Sequence, residues 1–185
     1  MKTKIKDITN IQTGLFAKPS GKGDVVYLQS KHFDEKGQLR SLLHSDLKSD
    51  NIITKHMLQT GDVLFAAKGT RNFAAVYENH NKSAVASTSF FVIRIADKTL
   101  LSEYLVWFLN HPSTQSVLKS NARGTAIPSI RKSVLDELEI SLPSLEKQKL
   151  IVKLSKLANK EAEISTKIIS LKKSFIEQKI LQGIK

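Results

Sequence analysis

Leu138-Glu139-Ile140-Ser141-Leu142-Pro143-Ser144-Leu145-Glu146-Lys147-Gln148 is a short alternating run that stops at a proline and turns into a helix start. Ser144 has the side chain of an N-cap, and Glu146 and Gln148 fall in the first turn. No glycine or proline interrupts the chain from there until Gly183, which suits a helix stop. One helix is therefore expected over 144–182. Within it Leu150, Leu154, Leu157, Glu161, Ile164, Ile168, Leu171, Phe175 and Gln178 recur at alternating spacings of four and three. This is a heptad seam of four heptads, about 42 Å long, with two polar interruptions. The plainer alternative is an amphipathic helix folded back on its own domain, but the seam is too long and regular for a domain of this size to cover. Glu161 at a seam position is expected to select register or partner. The seam asks for a partner helix, and the chain holds no second copy.

The chain has 185 residues, enough for one domain with a core plus an appendage. Its formal net charge is +12, from 29 basic and 17 acidic residues. Residues 144–185 alone hold ten basic and four acidic residues, so positive charge is densest in the helix. Such an excess favours a polyanion, most often nucleic acid, although a lysine-rich face also serves solubility. There are no cysteines, hence no disulfide and no thiolate metal site. No run of apolar residues is long enough to span a membrane, and the basic N-terminus lacks the apolar stretch of a signal peptide. A cytoplasmic location and no membrane partner are expected.

Upstream, strands are expected at Val25–Leu28, Val63–Ala67, Ala74–Tyr77, Phe90–Ile95 and Leu138–Leu142, punctuated by Gly, Asp and Asn. Leu101, Tyr104, Leu105 and Phe108 mark a helix over about 100–110, with Ser102 as its candidate cap and Pro112 as its stop. Shorter helices fit Ser113–Ser120 and Arg131–Glu137. Strands and helices interleave without a βαβ period. The fold class is α+β: a mixed-sheet globular domain over 1–143, then a long coiled-coil helix over 144–185.

Catalytic signatures are missing. The five histidines show no metal-ligand spacing, and no phosphate-binding glycine loop or nucleophile elbow is present. There is no Asn/Asp-Pro-Pro-aromatic motif of an amino-methyltransferase. Glu177-Gln178-Lys179 has a nuclease-like form but lies on the heptad helix and is read as chance. No metal, cofactor or catalytic residue is expected, and chemistry would have to come from another chain.

Several stretches together resemble a known family. They are Ile5-Lys6-Asp7-Ile8 with Thr13-Gly14, and Leu58-Gln59-Thr60-Gly61-Asp62-Val63-Leu64-Phe65 followed by Gly69-Thr70. Next come Ala84–Ser89 followed by Phe90–Ile95, and last the junction Gly124–Ile130, Ile140–Pro143 and Glu146–Ile151. Each is weak alone. In this order, over almost all of the chain, they resemble one half of the DNA-specificity subunit of type I restriction-modification systems. Family members usually carry two recognition domains and two long helices in one chain, whereas this sequence has one of each and no internal repeat. The expectation is a half-subunit that dimerises, a fragment being the alternative; Met1 and the stop at Gly183 favour a complete short product.

The resemblance implies a non-catalytic protein that binds double-stranded DNA and pairs with itself, or with a different specificity chain, through the seam. It also implies docking of methyltransferase subunits on the helices for N6-adenine methylation, and of a motor-nuclease subunit in a restriction system. A homodimer would read a bipartite, interrupted palindrome, each domain taking a half-site about one DNA turn from the other. Candidate DNA-binding residues are Lys68, Gly69, Thr70, Arg71 and Asn72, between two apolar strands. Arg71 has the fork for guanine and Asn72 the amide for adenine. Against this stands a hairpin turn with merely solvated charges. Lys31 and His32, beyond the strand Val25–Leu28, could reach phosphates or bases. Arg123, Thr125 and Arg131 flank the junction, with Gly124 at a turn that needs glycine. Lysines 147, 149, 153, 156 and 160 either face the DNA backbone or keep the helix soluble, the second being favoured. The rival function is a regulatory or decoy protein that binds the methyltransferase through the helix without reading DNA.

Overall fold

The computed structural model describes residues 2–19, 21–34, 37–39, 43–78, 82–124 and 127–184. Nine strands and five α-helices lie among these residues. A four-stranded antiparallel sheet has the order β2 (Thr9–Thr13), β8 (Phe90–Ile95), β5 (Val63–Ala66), β6 (Ala74–Val76). A three-stranded mixed sheet has the order β4 (Ser45–Leu47), β3 (Val25–Leu28), β7 (Ala84–Ala86), with β3 and β7 parallel. β1 (Lys2–Lys4) pairs antiparallel with β9 (Glu139–Ser141), joining the two ends of the domain.

The four-stranded sheet is buried on both faces, which explains why β5 and the start of β8 read as continuous apolar runs. Successive side chains feed opposite cores. Val63, Phe65 and Ile93 face α2 (Ser102–Asn110), α3 (Pro112–Ser120) and α4 (Lys132–Asp136), where Leu105, Leu109, Leu118 and Leu135 are fully buried. Leu64, Ala66, Phe90 and Val92 face the other way, against Val26, Leu28, Phe33 and Phe73, and the rings of Phe33, Phe73 and Phe90 lie with centroids 5.5–6.1 Å apart. A one-residue slip of β8 would exchange these sets.

The expected strands Val25–Leu28 and Phe90–Ile95 match β3 and β8, and the others match to within one or two residues. The first turn of α2 corrects one expectation. Leu101, not Ser102, is its N-cap and makes no side-chain cap bond, while the Ser102 hydroxyl donates to the Gly61 carbonyl (2.7 Å). β1, the single turn α1 (Ile5–Ile8) and β2 were not expected from the sequence.

The last helix, α5, runs Leu145–Gly183. Ser144 caps it, its side-chain oxygen accepting from the Lys147 amide (3.4 Å). Gly183 belongs to the helix, and the C-cap is Ile184 in a right-handed conformation, so a left-handed glycine stop is not used. Among the described residues of α5, only Gln148, Ile151, Val152 and Ser155, in its first turns, are buried or half-buried. Gln148 is fully buried and makes three hydrogen bonds: it accepts from the Leu101 amide (3.0 Å) and donates to the carbonyls of Thr99 (2.7 Å) and Pro143 (2.9 Å). Ile151 and Val152 pack on the same core. No helix of the described residues is long and apolar enough to cross a membrane.

Candidate nucleic-acid interface

The topology gathers the candidate loops at one end of the domain. In the four-stranded sheet β2 and β5 end there, and β6 and β8 begin there. β3 and β7, being parallel, both end on the same side. A chain of backbone hydrogen bonds stitches the loops together. Leu15 donates to Ala86 (2.7 Å), Ser87 to Leu28 (2.8 Å), Ala67 to Ser89 (2.9 Å) and Ile130 to Ala67 (2.9 Å). Residues 14–17, 29–32, 67–73, 87–89, 123–124 and 127–130 thus form one edge.

Ser129 lies between two neighbours in this edge. It bridges Lys68 on one side and Arg123 on the other, with the Arg123–Ser129 pair closed by bonds of 3.0 and 2.8 Å. Directly paired residues project from the same face of a ladder, so Lys68 and Arg123 share a face, about 10 Å apart across two strand spacings. Ile130 is buried and Ser129 and Arg131 flank it, so in the extended chain Arg131 projects to that face too. Lys68, Arg123 and Arg131 are all exposed. Gly69 and Gly124 bend the two segments with φ of 101° and 105°. At Gly124 a Cβ would also come within 2.8 Å of the Ile127 carbonyl oxygen. The Gly69 amide donates to Pro128 (2.9 Å), fastening the loops to each other.

Lys68–Asn72 does connect β5 and β6. Thr70 and Arg71 are exposed at its turn. Asn72 is half-buried and donates one Nδ2 hydrogen to the Ala66 carbonyl (2.9 Å), bracing the hairpin. Lys31 and His32 form a single 3₁₀ turn with Ser30, beyond β3. The Gln29 amide donates to His32 Nδ1 (3.2 Å), so the neutral ring carries its proton on Nε2. Partial burial lowers the His32 pKa, neighbouring Lys31 lowers it further, and Asp46 opposes both. Thr125 lies outside the described residues.

Two features escaped sequence reasoning, the first at the opposite end of the four-stranded sheet and the second on the loop edge. Asp62, read as turn punctuation, is buried and takes a two-pronged pair from Arg94 (2.8 and 2.7 Å) while accepting from the Gln59 amide (2.8 Å). The pair fixes the start of β5 against β8. Phe16, in a loop of lysine, proline and glycine, stands exposed on the same edge as the candidate residues.

The seam of α5 is uncovered. Leu150, Leu154, Leu157, Ile164, Ile168, Leu171 and Phe175 are each between 46% and 60% exposed, and Glu161 and Gln178 are exposed with them. At about 100° per residue the seam lies on roughly the opposite side of the helix from Gln148, Val152 and Ser155, which face the domain.

Residues 1–173 match the family model of the type I restriction modification DNA specificity domain. The type I restriction enzyme MjaVIII specificity subunit of Methanocaldococcus jannaschii is 28% identical over 110 residues, covering 56% of this chain and 24% of the relative. The putative type I restriction enzyme MjaX specificity subunit of the same organism is 27% identical over 150 residues, covering 75% and 34%. Among solved structures, the HsdS subunit from Thermoanaerobacter tengcongensis superposes with a TM-score of 0.62 at 17% identity, covering 87% of this chain and 37% of that one. The type I S subunit from M. genitalium gives 0.59 at 18%, covering 88% and 40%. The chain thus spans about a quarter to a third of the curated relatives it matches. The family match covers the loop edge, the junction and most of the long helix alike: this chain belongs to the type I restriction-modification DNA specificity domain family.

Proposed function

We propose that residues 1–143 are a target-recognition domain that reads one half-site of a bipartite DNA target, and that residues 144–185 pair two such domains. The observation that carries this is the loop edge, where Lys68, Arg123 and Arg131 share one exposed face beside the Thr70–Arg71 turn. Cations spaced on a rigid ladder suit phosphates and set orientation. Arg71, with Thr70, Lys31 and the Nε2 hydrogen of His32, supplies donors for base edges in the major groove. Asn72 braces the turn and keeps one amide hydrogen for the same purpose. The protein itself is non-catalytic in this reading.

The bare seam supports a second copy of the chain as partner, the two helices running antiparallel about a two-fold axis. Such a pair leaves Ile169, Ile176 and Ile180 uncovered on another face of the helix. That face suits methyltransferase subunits, which the pair would direct to an adenine in the target; a motor-nuclease subunit would join in a restriction system. A cytoplasmic location follows from this role.

The test is a methylome. The cognate methyltransferase is expressed in a methylation-free host with and without this chain, and N6-methyladenine is mapped. A bipartite motif that appears only with the chain supports the reading, and a palindromic one supports the homodimer. A stable complex with methyltransferase but no motif would favour the regulatory alternative.

A further inference from the structure

Phe16 has no part in the contacts described so far, yet it is 73% exposed, more than any other aromatic side chain among the described residues. Single exposed apolar residues are common and usually mean nothing. Two observations set this one apart. The first is how it is held. The buried Tyr27 hydroxyl donates to the Leu15 carbonyl (2.9 Å) and accepts from the Ala17 amide (3.3 Å). One side chain from β3 therefore clamps the residues on both sides of Phe16. Leu15 is further pinned by the hydrogen bond its amide donates to the Ala86 carbonyl and by its bridge to Ser87. Leu15 and Ala17 also pack against the small core of Val25, Tyr27, Leu47 and Val85, while the ring between them stays in water. A flexible loop would let the ring fold down onto that core; this one holds it out.

The second observation is where it stands. The bridge from Leu15 to Ser87, and the bond from Ser87 to Leu28, place Phe16 on the loop edge, next to the segment that leads to Lys31 and His32. The aromatic ring and the basic ladder of Lys68, Arg123 and Arg131 thus belong to one surface.

Resting on the DNA-reading role above, we propose that Phe16 is a wedge that enters the base stack of duplex DNA beside the half-site. An apolar ring pushed between base pairs unstacks the step and kinks the duplex, and its face recovers part of the lost stacking. The kink is least costly at pyrimidine–purine steps, so the wedge favours such a step at a position with no base-edge contact. An opened step also eases extrusion of a neighbouring adenine by the methyltransferase.

The experiment uses the full chain and a duplex that it enriches from a random-sequence library by repeated selection. Phe16→Ala is expected to bind that duplex roughly tenfold more weakly and to bend it less, as read from donor–acceptor distances between labelled duplex ends, with its thermal midpoint unchanged. In a Trp107→Phe background, Phe16→Trp places the one indole at the wedge, and stacking on bases is expected to quench its fluorescence. Wild-type binding and bending by Phe16→Ala, or weaker binding with neither quenching nor a lost bend, would overturn the wedge and leave the DNA-reading role standing. Failure of the wild-type chain to enrich any duplex would overturn both.

Discussion

The globular domain and the long helix treat apolar side chains in opposite ways. Among the described residues the domain exposes five large hydrophobics, Phe16, Leu39, Ile53, Val117 and Ile127, while its sheets and helices close around fully buried Phe65, Phe90, Ile93, Leu105 and Ile140. α5 exposes twelve, from Leu145 to Leu181. The domain satisfies its own hydrophobic surface. The helix is continuous along its length, yet beyond its first turns its apolar side chains stay exposed among the described residues. One part closes around its own core; the other, joined to it through the buried Gln148 and the packing of Ile151 and Val152, leaves its apolar seam bare.

The largest test of that contrast is the double substitution Ile164→Asp and Ile168→Asp. Two carboxylates at the centre of a helix pair lose their hydration with no partner, and association should weaken by several kcal/mol, effectively to a monomer at micromolar concentration. The domain, which neither residue touches, should unfold at an unchanged midpoint. Sedimentation of the variant as a dimer would mean that the seam is not the interface. Gln148→Leu strikes the joint instead. It leaves the Leu101 amide and the Thr99 and Pro143 carbonyls without their partner, at a cost of about 3 kcal/mol in urea-induced unfolding. Unchanged stability would mean that helix and domain are less firmly joined than these bonds imply.

What the sequence made legible follows the same division. The helix is a local object, and its cap at Ser144 and its seam could be read from spacing alone. β5 and β8 were equally readable, because strands buried on both faces are uninterrupted apolar runs. β1 was not, since Lys2-Thr3-Lys4 has no strand pattern and becomes a strand only by pairing with Glu139–Ser141 at the far end of the domain. Gln148 looked like a first-turn polar residue. The clue lay in Gln148, Ile151, Val152 and Ser155, a second stripe at helical spacing on the side away from the seam. The loop Lys68–Asn72 and the residues Arg123 and Arg131 could be named individually, but the meeting of Lys68 and Arg123 at Ser129 depends on strand order, which no local pattern encodes.

Arg71→Ala bears on the surface of the domain alone. Loss of a two-pronged base contact should cost about 1–3 kcal/mol in binding to the selected duplex and relax preference at one base pair. Oligomeric state and stability should not change. Target preference identical to wild type would remove Arg71 from the reading set.

The smallest expected effect is a pH dependence confined to the domain. The Glu137 carboxylate, just beyond α4, accepts from Lys4 and Lys6 Nζ at 2.6 Å each, tying the N-terminal β1–α1 segment to the junction. These two ammonium groups hold its pKa down to about 2, from an ordinary value of 4.5. The native state therefore binds fewer protons than the unfolded chain between those values. The stabilisation is complete above about pH 4.5 and disappears as pH falls through about 2. The groups are exposed, so the effect is small and shrinks with added salt. In Glu137→Gln this component of the pH dependence of unfolding should vanish, with stability slightly below wild type at neutral pH. The helix carries none of these three residues, so dimerisation should show no matching change at any pH where the domain is folded. A parallel change in association would mean that domain and helix respond as one body, and the division between them would fail.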